Sequence, residues 1–115
     1  MEDFKSNTSI EERRVQSVSV MKKHPGRIPV YVYKHQKSKY DDIKKHKFLV
    51  PLDITVGSFI YIIRKQMSLN SDQGIFVFIG GVLPPTSALM SQVYKEHADE
   101  DGFLYVAFSH ESVFG

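Results

Sequence analysis

The spacing of apolar and polar residues changes period several times along this chain, and each change predicts an element. Ser9-Ile-Glu-Glu12 has the Ser-x-x-Glu spacing of a capping box, in which each side chain satisfies a free backbone donor of the other residue. Residues 10–23 then predict a helix with Val15, Val18 and Met21 on one face, stopped by His24-Pro25-Gly26. Arg27 to Lys34 is rich in β-branched and aromatic residues and predicts a strand. Pro29, with no N–H to donate, suits an edge position or the start of that strand. After a polar, basic stretch over 36–47, Phe48 to Pro51 predicts a short second strand. Thr55 can cap a helix over 56–67, where Val56, Phe59, Ile60, Ile63 and Met67 recur on one stripe. Ile75 to Ile79 predicts a largely buried third strand, and Gly80-Gly81 a tight turn into Val82-Leu83. Thr86 or Ser87 is placed to cap a helix running to about His97, and Phe103 to Phe108 predicts the last strand. The order implies one sheet with helices packed on it, an α+β or mixed arrangement in which the first and last strands could pair in parallel.

Composition narrows the class. The chain has 115 residues, 42% apolar and 24% charged, which suits one globular domain with a real core. No apolar run approaches the ~18 residues of a membrane span, and the charged start is no signal peptide, so the expected compartment is cytosolic or nuclear. The absence of cysteine rules out disulfides, thiolate metal sites and a cysteine nucleophile. Net charge is +2, unevenly spread: residues 1–50 hold nine Lys and three Arg against six acids, while residues 51–115 hold three basic residues against seven acids. Such asymmetry points to a surface that faces a partner. His24, His35, His46, His97 and His110 have no metal-ligand spacing, and no Gly-rich phosphate loop precedes a helix, so no metal, cofactor or catalytic activity is expected.

Several strings become specific when read together: Arg27-Ile-Pro-Val30, Lys47-Phe-Leu-Val-Pro51, Thr55-Val-Gly57, Tyr61-Ile-Ile-Arg-Lys65, Leu83-Pro-Pro-Thr86, Ala88-Leu-Met-Ser91, Tyr94 with Glu96-His97, Asp101-Gly-Phe-Leu-Tyr-Val106, and the closing Phe114-Gly115. In this order the chain resembles the autophagy-related protein eight family, the ubiquitin-like modifiers that include GABA-receptor-associated protein. The implied fold is the ubiquitin-like β-grasp, a four-stranded mixed sheet with helices packed on it. Residues 1–25 would form a helical extension, 26–109 the β-grasp domain and 110–115 a flexible conjugation tail.

The resemblance implies a function without catalysis. Gly115 would be adenylated, passed as a thioester between activating and conjugating enzymes, and joined to phosphatidylethanolamine. Phe114 would be read by those enzymes or by a processing and deconjugating cysteine protease. Relatives are usually made with residues after this glycine; the sequence ends on it, as in a mature form or a member that skips cleavage. The protein would sit in the cytoplasm, and on autophagosomes once lipidated.

A short strand beside a free edge can take an extended peptide as one more strand, with main-chain bonds for affinity and pockets for specificity. Apolar side chains exposed at Phe48 to Pro51 would serve that mode. By resemblance, cargo receptors bring an aromatic-x-x-aliphatic motif flanked by acids. The aromatic pocket maps to Gln16, Val20, Pro29, Tyr31, Lys47, Leu49 and Phe103, the aliphatic pocket to Phe48, Val50, Pro51, Ile54, Phe59 and Ile62, and the acid contacts to Arg27, Lys45 and Lys47. Gln16 stands where relatives commonly carry Glu, and Tyr31 where a smaller aliphatic is usual, so a preference for Phe or Tyr over Trp is expected. The N-terminal segment has a family role in membrane tethering, for which Phe4 and Ile10 are the only strong apolar residues. Phe76 and Phe78, or their alternates Ile75 and Val77, could form a second docking face as in some relatives, although a buried strand suits them better. A non-conjugated β-grasp adaptor for peptides or cytoskeletal partners is the alternative reading. No RNA-binding signature accompanies the lysines, and no nucleic-acid partner is expected.

Overall fold

The computed structural model describes residues 2–111. The elements run α1 (Glu2–Asn7), α2 (Ile10–Lys23), β1 (Arg27–Lys34), β2 (Lys47–Pro51), α3 (Val56–Met67), β3 (Phe76–Ile79), α4 (Met90–His97) and β4 (Leu104–Ser109). The strands form one sheet in the order β2-β1-β4-β3. β1 runs antiparallel to β2 and parallel to β4, and β3 antiparallel to β4. This is the ubiquitin-like arrangement expected from the sequence.

The pleat of β1 sorts the two faces of the sheet. Ile28, Val30 and Val32 join Phe48, Val50, Val106 and Phe108 in the main core, covered by Val56, Phe59 and Ile63 of α3 and Met90 and Val93 of α4. Tyr31 faces the other way into a second cluster with Phe4 and Phe103. β1 is interior, so Pro29 is not an edge residue. It sits opposite Leu49, one residue before the parallel ladder opens at Val30–Leu104, where no donor is required of it.

The capping box forms as the spacing requires: the Glu12 N–H donates to Ser9 Oγ at 3.1 Å and the Ser9 N–H to Glu12 Oε1 at 3.4 Å. The helix face is another matter. Val15 and Val18 are 68% and 64% exposed, and α2 buries Arg13 and Ser17 instead. The reason is the partner surface. Asp101 is fully buried and accepts from Arg13 Nε at 2.9 Å through Oδ2, while its carbonyl accepts from Ser17 Oγ at 2.7 Å. α2 is therefore docked on that side by charge and hydrogen bonds, which apolar spacing cannot reveal.

α1 is the element the pattern misses. Six residues show no period, and the helix is held chiefly by Phe4, stacked on Tyr31 (4.7 Å between centroids, 3° between planes) and set edge-on to Phe103. α4 begins later than the expected cap at Thr86 or Ser87, at Met90. Residues 86–89 are drawn alongside the start of α3: the Gly57 and Val56 N–H groups donate to the Thr86 and Ala88 carbonyls, and Thr55 bridges Leu89. A segment satisfying another helix's free donors cannot also coil. At Gly80-Gly81 the tight turn is present, with φ of 61° and 77° and mutual bonds between Ile79 and Val82.

Candidate functional site: the outer edge of β2 and the groove beside it

The phase of the β1–β2 ladder decides what the sheet edge offers. In an antiparallel pair alternate residues exchange both backbone bonds with the partner strand, and those between them point outward. The Val32 N–H donates to the His46 carbonyl and the Leu52 N–H to the Gly26 carbonyl. With the observed register, Ile28–Val50 and Val30–Phe48 are then the bonded pairs. The main-chain groups of Lys47 and Leu49 face away from β1, and among the described residues β2 pairs with no other strand. Two N–H donors with their carbonyls are presented side by side, on the side of the strand where no partner lies.

Beside this edge lies a cavity of 270 Å³ lined by Gln16, Ser19 and Val20 of α2, Pro29 of β1, Lys47, Phe48 and Leu49 of β2, and Phe103. Six of the seven residues assigned to an aromatic pocket thus come together here. The seventh, Tyr31, does not. It lines a neighbouring cavity of 610 Å³ with Phe4, Lys45, His46 and Lys47, sandwiched between Phe4 and the His46 ring, which stacks at 5.2 Å. Burial, then the nearby Asp42 and Asp3, raise its phenol above the usual tyrosine range, so it stays neutral.

Lys47 links the two cavities. Its Nζ donates to Gln16 Oε1 at 3.1 Å and stands 4.6 Å from the centre of the Phe4 ring. Lys45 stands over Phe48 at 4.7 Å. Arg27 does not join this pair: it lies opposite Pro51, at the far end of the edge from Lys47. The residues assigned to an aliphatic pocket divide as well. Phe48 and Val50 are 6% and 2% exposed, and with the buried Phe59 they belong to the main core. The expected exposed apolar row on β2 is thereby corrected, because the strand's even positions face α3. Pro51 and Ile54 are half-buried, and Ile62, off the α3 stripe, is 37% exposed.

Three contributors were not assigned to the groove in the sequence reading. Ser19 follows Gln16 by three positions on one helix face, a spacing that could have signalled it. Phe4 and His46 carried no such signal; chain folding alone stacks them on Tyr31. Phe76 is partly exposed and Phe78 buried on β3, at the opposite edge of the sheet. Phe114 and Gly115 lie outside the described residues.

The comparisons agree with this architecture. The family described as "Autophagy protein Atg8 ubiquitin like" matches residues 12–115. Autophagy-related protein 8d of Arabidopsis thaliana is 46% identical over 97% of this chain and 93% of its own length. Autophagy-related protein 8 of Schizosaccharomyces pombe is 50% identical over the same shares. Among solved structures, Trypanosoma brucei ATG8 superimposes with a TM-score of 0.91 at 37% identity, covering 97% of each chain. Plasmodium falciparum Atg8, solved in complex with an Atg3 peptide from the same organism, gives 0.88 at 33% identity over 97% of this chain and 98% of its own. The chain belongs to the Atg8 family of ubiquitin-like autophagy proteins.

Proposed function

We propose that this chain is a modifier joined through the Gly115 carboxyl to phosphatidylethanolamine, and that it recruits cargo receptors bearing aromatic-x-x-aliphatic motifs by adding their peptide as a strand to β2. The observation that carries the recruitment reading is the outward pair of amides at Lys47 and Leu49 directly beside an apolar cavity. An added strand takes its main-chain bonds from that edge and drops its aromatic residue between Val20, Pro29, Leu49 and Phe103. The motif's aliphatic residue falls toward Pro51, Ile54 and Ile62, which reach the surface. Lys45 and Lys47 face acids at one end of the motif, and Arg27 acids at the other. Exposed ion pairs contribute only ~0–1 kcal/mol each, so these cations act mainly on encounter rate and salt dependence. The peptide held by the Plasmodium falciparum relative is a partner of the kind such an edge can take.

In this reading residues 110–115 form the conjugation tail, served by activating and conjugating enzymes and by a processing protease. The two acyl chains of the attached lipid suffice for stable anchoring, moving a cytoplasmic protein onto autophagosomal membranes. Among the described residues no helix is long and apolar enough to cross a membrane. Mass spectrometry of the C-terminal peptide from cells tests the reading: the expected product is Gly115 amide-linked to the ethanolamine headgroup. A carboxylate free under all conditions, with membrane association unchanged by Gly115→Ala, would instead mark a non-conjugated adaptor. Titrating otherwise identical Trp, Phe and Tyr peptides tests the groove. Gln16 Oε1 already accepts from Lys47 Nζ and carries no full negative charge for an indole N–H, so Trp is expected not to bind tightest.

A further inference from the structure

Parallel pairing of β1 with β4 places the loop that leaves β1 and the chain that leaves β4 at the same end of the sheet. They are also tied together there. The Lys39 N–H donates to His110 Nδ1 at 3.0 Å, the His110 N–H to Ser38 Oγ at 3.3 Å, and the Tyr40 ring meets the His110 ring edge-on. Loop 35–40 therefore wraps the root of the segment that ends in Gly115. From Glu111 the sequence has four more residues, a reach of at most roughly 14 Å when fully extended.

We propose that this loop is the surface that meets an anionic bilayer once the carboxyl end is attached to a lipid. The inference rests on the lipid-conjugation reading above and adds to it an orientation and a lipid-charge preference. Residues 34–47 hold six lysines against Asp41 and Asp42, and Asp42 Oδ1 is turned onto the Lys34 and Ile43 N–H groups. Among the described residues Asp72 and Glu111 are further carboxylates at this end, and Asp3 shares a cavity with Asp42, Lys45 and Lys47. Arg64 donates to the Asn70 and Gln73 carbonyls on either side of Asp72, and His110 Nε2 stands 3.6 Å from a Glu111 carboxylate oxygen. Lys37, Lys39 and Lys44 are exposed, and none is ion-paired among the described residues. The start of β1, beside Lys22 and Lys23, is also basic but lies roughly 23 Å away along the strand, beyond the reach of the tail. A short tether holds only nearby groups at high effective concentration, so the attachment point selects the loop over the other basic end. In this pose the β2 edge stands sideways to the membrane, open to peptides.

The test uses the full chain with Gly115→Cys, its sole cysteine, coupled to maleimide-headgroup lipid in vesicles of phosphatidylcholine alone or mixed with phosphatidylserine. Lysine acylation read by mass spectrometry reports exposure. On phosphatidylserine vesicles at low salt, Lys37, Lys39 and Lys44 are expected to label several-fold more slowly than on phosphatidylcholine, and to recover at high salt, with Lys22 and Lys23 unchanged. A lysine at an anionic surface shifts the bound population about fivefold. Lys37→Gln with Lys39→Gln should therefore lower it about 25-fold and return Lys44 to its phosphatidylcholine rate. Equal labelling on the two vesicles, or protection of Lys22 and Lys23 instead, would overturn the proposal. Chemical tethering separates the two readings: failure of the native chain to be joined to phosphatidylethanolamine by its enzymes sinks the function, whereas the tethered chain decides the orientation.

Discussion

Leu49→Pro isolates the main-chain contribution of the β2 edge. Phe48 and Val50 make the ladder bonds to β1, and the Leu49 N–H points outward. Proline at this position removes a donor the fold does not use, on the side of an edge strand where proline is tolerated. Its ring fixes φ near −65°, still within the extended region, so the cost to folding is expected to be about 1 kcal/mol. Leu49 also lines the 270 Å³ cavity, and Leu49→Ala serves as the comparison that removes side-chain packing alone. A peptide carbonyl docked against proline is desolvated without a partner, at about 1–3 kcal/mol. Calorimetric titration with an aromatic-x-x-aliphatic peptide should therefore show Leu49→Pro about 5–150-fold weaker than Leu49→Ala, with thermal unfolding confirming that both variants fold. Equal affinities for the two would refute strand addition at β2 and leave the side chains alone to hold the peptide.

The other predictions concern what positions the groove. Arg13→Ala strips the fully buried Asp101 of its charged partner, a loss of about 3–5 kcal/mol. Calorimetry should show Tm falling by about 10–20 °C, and peptide affinity should fall with it, because α2 carries Gln16 and Val20. Gly80→Ala should destabilise the protein by more than 1 kcal/mol, about the cost of the left-handed region alone: φ is 61° and a Cβ would lie 2.3 Å from His97 Nδ1. Gly74→Ala, with nothing within 4 Å of the new Cβ, should be neutral or slightly stabilising, and urea titration of both glycine variants checks the contrast. Burial works to raise the Asp99 carboxyl, but the Lys5 ammonium and the Asp101 N–H bound to it hold it below the ordinary carboxylate range. Its contribution to docking α1 is thus complete above the unfolded carboxylate pKa, about 3.9, and lost as pH falls through the depressed folded value. Lys5→Met should remove that increment at pH 7 and change little at pH 2, as read by urea titration at both.

Local chemistry made most elements legible. The Ser9–Glu12 box, Thr55 ahead of its apolar stripe, the β-branched run at 27–34 and Gly80-Gly81 each specify structure through bonds or rotamers within a few residues, and the element order narrows the sheet to very few topologies. The residues of the groove were legible through family motifs, since those strings record positions that the fold brings together. Other features waited on tertiary structure. Val15 and Val18 have the spacing of a buried stripe, yet α2 docks by Arg13 and Ser17, because the surface it meets presents a buried carboxylate. Tyr31 belongs to a stack with Phe4 and His46 made only when three distant segments meet. Which amides of β2 face outward depends on register with β1, and the proximity of loop 35–40 to the carboxyl end depends on β1 lying parallel beside β4. Short-range bonding is written residue by residue, whereas the availability of an edge, a cavity or a charged end depends on which other segments have already taken the neighbouring space.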